Sequence, residues 1–199
     1  MKASGFEFRF RAALIGLLYY IGFAVYGYDH TPAVQAMANW ILGPHSPHGI
    51  LLERILIESG ALLVAFGAVA RTWGAAYLRA NIVHDAQLHA TELIADGPYR
   101  YVRHPLYFGS IVANVGLAFV ASRLGFVIIV VMLTLLYVRL AGREEAQLAE
   151  RQGEPHRAFC EKVPRLWPAL RARVPATGAK PQWGQALLGE AFMWGFALA

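Results

Sequence analysis

Two short stretches contain the residues best suited to chemistry. The first, "GPYRYVRHPLYFG", contains Arg103 and His104, and the second, "GREEAQLAE", contains Glu144 and Glu145. Such a set suits a zwitterionic ligand, because the cations can bind its carboxylate and the acids can accept hydrogen bonds from its ammonium group. The alternative that these charges are only interfacial anchors and ion pairs at helix ends stays open.

The composition indicates that lipid surrounds much of this chain. Of its 199 residues, 57% are hydrophobic and 16% are charged, against about a quarter charged in soluble domains. Apolar segments of about 17 or more residues predict membrane-spanning helices, because a helix satisfies its own backbone hydrogen bonds in lipid. Four apolar segments at or near this length, and a weaker fifth that is short for a full crossing, lie at residues 12–28, 51–70, 106–121, 124–138 and 183–199.

The third and fourth segments predict a helical hairpin, since only Ser122 and Arg123 separate them. The chain travels roughly 25–30 Å along the third helix, at 1.5 Å per residue, and returns by about the same amount along the fourth. His104 and Glu145 should therefore lie about one interhelical distance apart, roughly 8–10 Å between axes. We predict an all-α, polytopic membrane helix bundle of four to five transmembrane helices, with a cytosolic cofactor pocket at the base of the hairpin and a single domain over residues 1–199.

The positions of lysine and arginine predict the orientation, because cytoplasmic segments retain positive charge. Residues 29–50 contain neither type. With the N-terminus inside, Arg54 and Arg123 are the two of eighteen basic residues that lie outside. Two cytosolic segments are then predicted, 79–104 and 139–182, and they hold the chemical residues. We expect an integral protein of the bacterial inner membrane with its N-terminus and cofactor site in the cytoplasm.

Several classes of partner are excluded by the sequence. The basic residues are interleaved with apolar runs, whereas nucleic-acid binding needs a continuous basic stripe. Cys160 is the single cysteine, so the chain alone cannot assemble a disulfide, a thiolate zinc site or an iron-sulfur cluster. The HEXXH, GXXXXGK and GXSXG patterns of metalloproteases, phosphate loops and hydrolases do not occur. We therefore expect neither nucleic acid nor metal as a partner.

Three motifs in order give the chain a family resemblance. "GPYRYVRHPLYFG", then "REE" after a helical hairpin, then "GEPHRAFCEKVPRLWP" resemble the isoprenylcysteine carboxyl methyltransferase and phospholipid methyltransferase family of integral membrane enzymes. The match covers residues 93–168, some two fifths of the chain. The resemblance implies S-adenosylmethionine-dependent methyl transfer to a lipophilic acceptor, in a helical membrane fold that lacks a Rossmann domain.

The same resemblance assigns residues to the cofactor. It implies that His104 and Glu145 contact S-adenosylmethionine, with four further residues around them, namely Tyr99, Arg103, Tyr107 and Glu144. Two positions depart from the family pattern, because His156 and Phe159 stand where the family commonly has tyrosines.

The acceptor decides which further residues are needed. A carboxylate acceptor needs an arginine to steer it, and an amine needs a base to take its proton, so Arg165 and Glu190 are the catalytic candidates. A prenylated cysteine carboxylate, a phospholipid amine, a small thiol and other lipophilic molecules remain open as acceptors. Two alternative functions also remain: a membrane reductase of the sterol-reductase type that uses NADPH, and a non-enzymatic membrane subunit. The sequence does not give the oligomeric state.

Overall fold

A computed structural model describes residues 2–85 and 95–198, which are helical without a β-strand in these ranges; 74% of the chain is helix. Residues 86–94 of the predicted cytosolic segment 79–104 lie outside the described ranges. The α-helices are α1 Gly5–Arg9, α2 Arg11–Ala24, α3 Ala33–Leu42, α4 Gly49–Asp85, α5 Pro105–Ala118, α6 Arg123–Val127, α7 Leu133–Gln152, α8 Glu154–Lys162, α9 Trp183–Gly189 and α10 Ala191–Leu198.

A π-helical turn, Ile128–Met132, joins α6 and α7 into one continuous helix of 30 residues, Arg123–Gln152. Among the described residues this is the one helix long and apolar enough to cross a membrane; Arg11–Gly27 and Pro105–Ala118 are shorter apolar helices. At about 1.5 Å per residue, 30 residues exceed the roughly 30 Å hydrocarbon layer. One crossing is thus supported, and the remaining predicted crossings stay predictions.

The reversal between the hairpin helices is longer than the two residues expected. Helix α5 ends at Ala118 rather than at residue 121 because the N–H groups of residues 119–121 donate to carbonyls three residues back and so form a turn. There the Ala33 N–H donates to the Ala121 carbonyl, and the Arg123 N–H donates to the Thr31 carbonyl, each at 2.9 Å. The Ser122 hydroxyl then caps α6 by accepting from the Gly125 N–H at 3.1 Å.

The chain divides into two compact units. The first contains Met1–Phe66 and Ile111–Leu140, and the second contains Gly67–Ser110 and Ala141–Ala199. In the first unit, helices α4 and α5 pack at Gly60 and Gly116, where a Cβ on Gly60 would meet the Gly116 carbonyl oxygen at 2.8 Å. Small residues at a helix contact allow such close backbone approach, which is common in membrane proteins.

The second unit is completed by a segment without regular structure that follows α8. We name residues 163–182 the strap. The strap runs along residues 96–104, and the bonds include Arg103 N–H to the Pro164 carbonyl and Ala169 N–H to the Tyr101 carbonyl, both at 2.9 Å. At its far end the Gln182 N–H donates to the Ala76 carbonyl of α4 at 3.0 Å. The strap therefore holds the part of the first chemical motif that leads up to and includes His104.

The C-terminal segment is two short helices, whereas the sequence suggested one continuous weak span over residues 183–199. Helix α9 ends at Gly189 and α10 begins at Ala191, with Glu190 between them in a non-helical conformation. The Glu190 carboxylate lies 8% exposed against the Arg71 guanidinium of α4. The break between the two helices therefore falls at a residue held in an ion pair.

Candidate functional site

The first motif presents Tyr99, Arg103 and His104 from a rigid turn. Gly97 begins a 3-10 turn with φ +54°, and a Cβ there would collide with the Tyr77 ring, so glycine is required on both grounds. Pro105 begins α5, where its missing N–H leaves no hydrogen bond unmade. The strap fixes His104, which lies between this turn and Pro105, because the His104 N–H donates to the Arg165 carbonyl at 3.2 Å. This backbone bond also brings the Arg165 side chain beside His104.

Glu145 of α7 is the centre of a cluster of cations. Its Oε1 lies 2.7 Å from Nη1 of Arg103 and 3.2 Å from Nε2 of His104. Its Oε2 accepts from Nε of Arg165 at 2.9 Å and from the Nη2 of the same guanidinium. Three cationic or imidazole groups therefore share one carboxylate that is 11% exposed. Such charge-assisted hydrogen bonds hold the side chains in fixed positions.

Glu144 forms the second, more accessible half of the cluster. The Tyr107 hydroxyl donates to its Oε1 at 2.6 Å, and Nδ1 of His104 lies 3.6 Å from its Oε2. Its side chain is 33% exposed, three times the fraction of Glu145. Of the two carboxylates, Glu144 is therefore the one with room to accept a hydrogen bond from a ligand.

The surroundings of the cluster set the protonation of its neighbours. The hydrogen bond to Glu145 raises the pKa of Arg165, which is therefore charged at every physiological pH. Burial, with a smaller contribution from Glu144, raises the pKa of Tyr99 well above its usual range, so its hydroxyl stays a donor. Burial also lowers the pKa of His156, so this imidazole is mainly neutral at pH 7.

The structure thus brings together six residues that the sequence singled out, five expected at the cofactor and one expected to be catalytic: Arg103, His104, Tyr107, Glu144, Glu145 and Arg165. Tyr99 is buried, and it lies close enough to Glu144 for the charge of that carboxylate to raise the tyrosine pKa. Glu190 is held by Arg71, whose Nε and Nη2 donate to its two oxygens at 2.7 and 3.1 Å.

Two interactions around the motif escaped the sequence interpretation. Arg71 also donates to the Ser110 hydroxyl and the Leu106 carbonyl of α5, so its guanidinium links α4, α5 and the junction between α9 and α10 within the second unit. A signal existed, because charged residues inside apolar segments usually pair with one another. The second interaction, the Asp96 clasp, is a set of hydrogen bonds that Asp96 accepts from residues 81 and 83 positions further along the chain. The sequence carries no comparable signal for it, because the donors are backbone N–H groups and a hydroxyl rather than a charged side chain.

The Asp96 clasp anchors the end of the strap to the first motif. Its carboxylate is buried and accepts from the Thr177 N–H and the Ala179 N–H, each at 2.9 Å, and from the Thr177 hydroxyl. Burial raises the pKa of Asp96, but these hydrogen bonds together outweigh it, so the pKa lies below the ordinary value of 3.8. The clasp therefore depends on the charged carboxylate.

We expect Asp96→Asn to lower the free energy of unfolding by about 1–3 kcal/mol at neutral pH, because the amide nitrogen would face buried N–H and O–H donors. Because the pKa of Asp96 is lower in the folded chain than in the unfolded chain, its charge stabilises the fold at pH values above the pKa of the unfolded chain. This contribution is lost as pH falls through the pKa of the folded chain. Thermal unfolding in detergent should therefore show a gap between wild type and variant that is full at pH 6 and narrows below about pH 3.8. Thr177→Val, which removes only the hydroxyl, should lose less. Parallel curves at every pH would contradict this account.

Comparison with known proteins gives one family and one relative. The chain is 29% identical over 119 residues to the nickel-cobalt-cadmium resistance protein NccN of Alcaligenes xylosoxydans xylosoxydans, a match that covers 60% of this chain and 53% of that protein. The chain thus spans about half the length of this relative. No solved structure matches. The model of the phospholipid methyltransferase family matches residues 55–154, which is half of the chain and includes every residue of the cluster except Arg165. The chain therefore belongs to the phospholipid methyltransferase family.

Proposed function

We propose that this protein transfers a methyl group from S-adenosylmethionine to a lipophilic acceptor held at the membrane. The observation that carries the proposal is the Glu145 cluster, in which Arg103, His104 and Arg165 converge on one buried carboxylate. Family membership supports methyl transfer as the reaction class. The exposed apolar surface supports membrane association, because many large apolar side chains are exposed together, among them Leu62 at 72% and Trp40 at 86%, whereas soluble proteins rarely expose large apolar patches.

The donor set fits the amino-acid end of S-adenosylmethionine. Nε of Arg103 is buried and has no hydrogen-bond partner among the described residues, and a buried donor of this kind is costly unless a ligand satisfies it. A ligand carboxylate supplies the acceptor that Nε lacks. Glu144 supplies an acceptor for the ligand ammonium group or a ribose hydroxyl, since it is the more exposed acid.

The residues of the cluster act by binding and orientation. The cofactor supplies an activated methyl group on a sulfonium, so positioning and exclusion of water account for most of the rate. We propose that Arg103 and His104 bind the carboxylate, and that Glu145 fixes the geometry of both through its hydrogen bonds. Tyr99, which is buried, and Tyr107, which donates to Glu144, complete the site. The aromatic face of either ring would be a favourable neighbour for a sulfonium cation.

The acceptor is proposed to approach from lipid. Arg165 can steer a carboxylate acceptor while it stays bound to Glu145, because its side chain is 38% exposed. Glu190 stays a prediction as the proton acceptor for an amine, and its two hydrogen bonds from Arg71 hold its carboxylate in a fixed position. The distribution of lysine and arginine supports a cytoplasmic position for the cluster. We propose that the membrane is a bacterial inner membrane.

The proposal is tested by calorimetry of the purified full chain in detergent. We expect S-adenosylmethionine and its demethylated product to bind with micromolar affinity, and NADPH to give no heat. Methyl transfer is then followed with a labelled methyl group and mass spectrometry of membrane lipids and small molecules. A well-folded protein that binds NADPH and ignores S-adenosylmethionine is a reductase instead, and one that binds neither cofactor but copurifies with a stoichiometric partner is a membrane subunit.

A further inference from the structure

A groove in the first unit lies outside the cluster and combines an apolar lining with one cation. It has a volume of about 230 Å³, below the roughly 300–1,000 Å³ of pockets that enclose small molecules. The groove therefore suits part of a long, thin ligand such as an acyl chain rather than a whole compact ligand. Helices α3 and α6 form it, and the lining besides Arg123 consists of six apolar residues: Ala33, Ala36, Met37, Trp40, Phe126 and Val127.

The cation at this groove has donors left to offer. The Arg123 side chain is 62% exposed, and only its Nε and Nη2 contact Asp29 among the described residues, at 3.4 Å each. Asp29 does not compete for an incoming anion, because its side chain is 4% exposed and also accepts the N–H groups of Leu124 and Thr31. The exposed side of the guanidinium is therefore electrostatically complementary to an anionic group.

The position of the groove indicates that its surroundings are lipid. Arg123 is the first residue of the one described helix that can cross a membrane, which puts its side chain at the level of the headgroups when that helix spans. Tryptophan and arginine both favour this layer, and Trp40 is 86% exposed beside the groove. Val127, one turn further along the helix, is also exposed and apolar.

We propose that this groove binds a glycerophospholipid, with an acyl chain along the apolar lining and the phosphate on the guanidinium of Arg123. Phosphate and guanidinium match in charge and in hydrogen-bond geometry. The acyl chain and the phosphate would occupy different parts of the groove, so a lipid that has both should bind more tightly than either part alone. This inference does not depend on methyl transfer.

The test is native mass spectrometry of the full chain in detergent, which reports bound lipid and oligomeric state together. We expect dioctanoyl phosphatidylglycerol to bind at least about tenfold more tightly than dioctanoylglycerol, because one ionic hydrogen-bonded contact contributes roughly that much. Inorganic phosphate should bind more weakly still. Equal binding of the lipids with and without phosphate would overturn the role of Arg123, and equal binding of inorganic phosphate would overturn the role of the apolar lining.

Three variants locate the lipid. Arg123→Gln should reduce phosphatidylglycerol binding about tenfold, to the level of the diacylglycerol, and Ala36→Phe should reduce it by filling the groove without touching a charge. Arg54→Gln is the matched control, since Arg54 is exposed in the same unit and is not part of the lining. Unchanged binding in Ala36→Phe overturns the proposal even when Arg123→Gln folds poorly. A doubled protein mass with no retained lipid would show that a second copy covers the groove.

Discussion

Glu145→Ala should lower the affinity for S-adenosylmethionine about a hundredfold or more. The side chain accepts hydrogen bonds from Arg103, His104 and Arg165, so its loss leaves partly buried cations facing one another without their counter-ion. Removing one partner of a buried ionic network costs about 3–5 kcal/mol, and each 1.4 kcal/mol is a factor of ten in affinity. Calorimetric titration of S-adenosylmethionine measures the change, with circular dichroism to show that the helices persist.

Three further variants distinguish the network from a general effect on α7. Glu150→Ala, five residues further along the same helix and exposed, should bind like wild type. His104→Ala should lose about ten- to a hundredfold in affinity, the equivalent of one ionic hydrogen bond. Glu145→Gln keeps the size and one acceptor and should fall between wild type and alanine. Normal binding in both the Glu145→Ala and His104→Ala variants would show that the cofactor binds elsewhere.

The juxtaposition of His104 and Glu145 could be predicted from the sequence because it follows from helix geometry. Two helices joined by a short reversal must return to the same level, and the rise per residue decides which residues meet. The structure places Nε2 of His104 3.2 Å from Oε1 of Glu145, across 41 residues of chain. The residue at which α5 ends cannot be predicted in this way, because the bridge between Pro32 and Ser122 that shortens α5 is a long-range contact.

The strap shows where sequence patterns stop being informative. Several of its contacts with residues 96–104 are hydrogen bonds between backbone groups, and these do not depend on side-chain type. A segment interrupted by several prolines, such as residues 163–182, has no hydrophobic period to indicate which surface it covers. The prediction that Arg165 matters was made from its chemistry as a cation, and its contact with Glu145 depends on the strap path that no pattern shows.

Arg71→Met should lower the free energy of unfolding by about 3–5 kcal/mol, because it leaves Glu190 as an uncompensated buried charge. The two side chains are 22% and 8% exposed. Thermal unfolding in detergent measures the loss. The matched control is Arg157→Met, which breaks the ion pair between Arg157 and Glu154. These side chains are 69% and 83% exposed, so the variant should lower the free energy of unfolding by less than about 1 kcal/mol.

The double variant Arg71→Met with Glu190→Leu separates structure from catalysis at this pair. Replacing both ions by apolar groups of similar volume removes the unpaired charge, so most of the lost stability should return. A proton acceptor cannot be replaced by leucine, and loss of a general base typically costs about 10²–10⁴ in rate. If Glu190 takes the proton of an amine acceptor, the double variant therefore binds S-adenosylmethionine and stays stable but does not turn over. If turnover returns with stability, the pair serves only to hold α9 and α10 against α4.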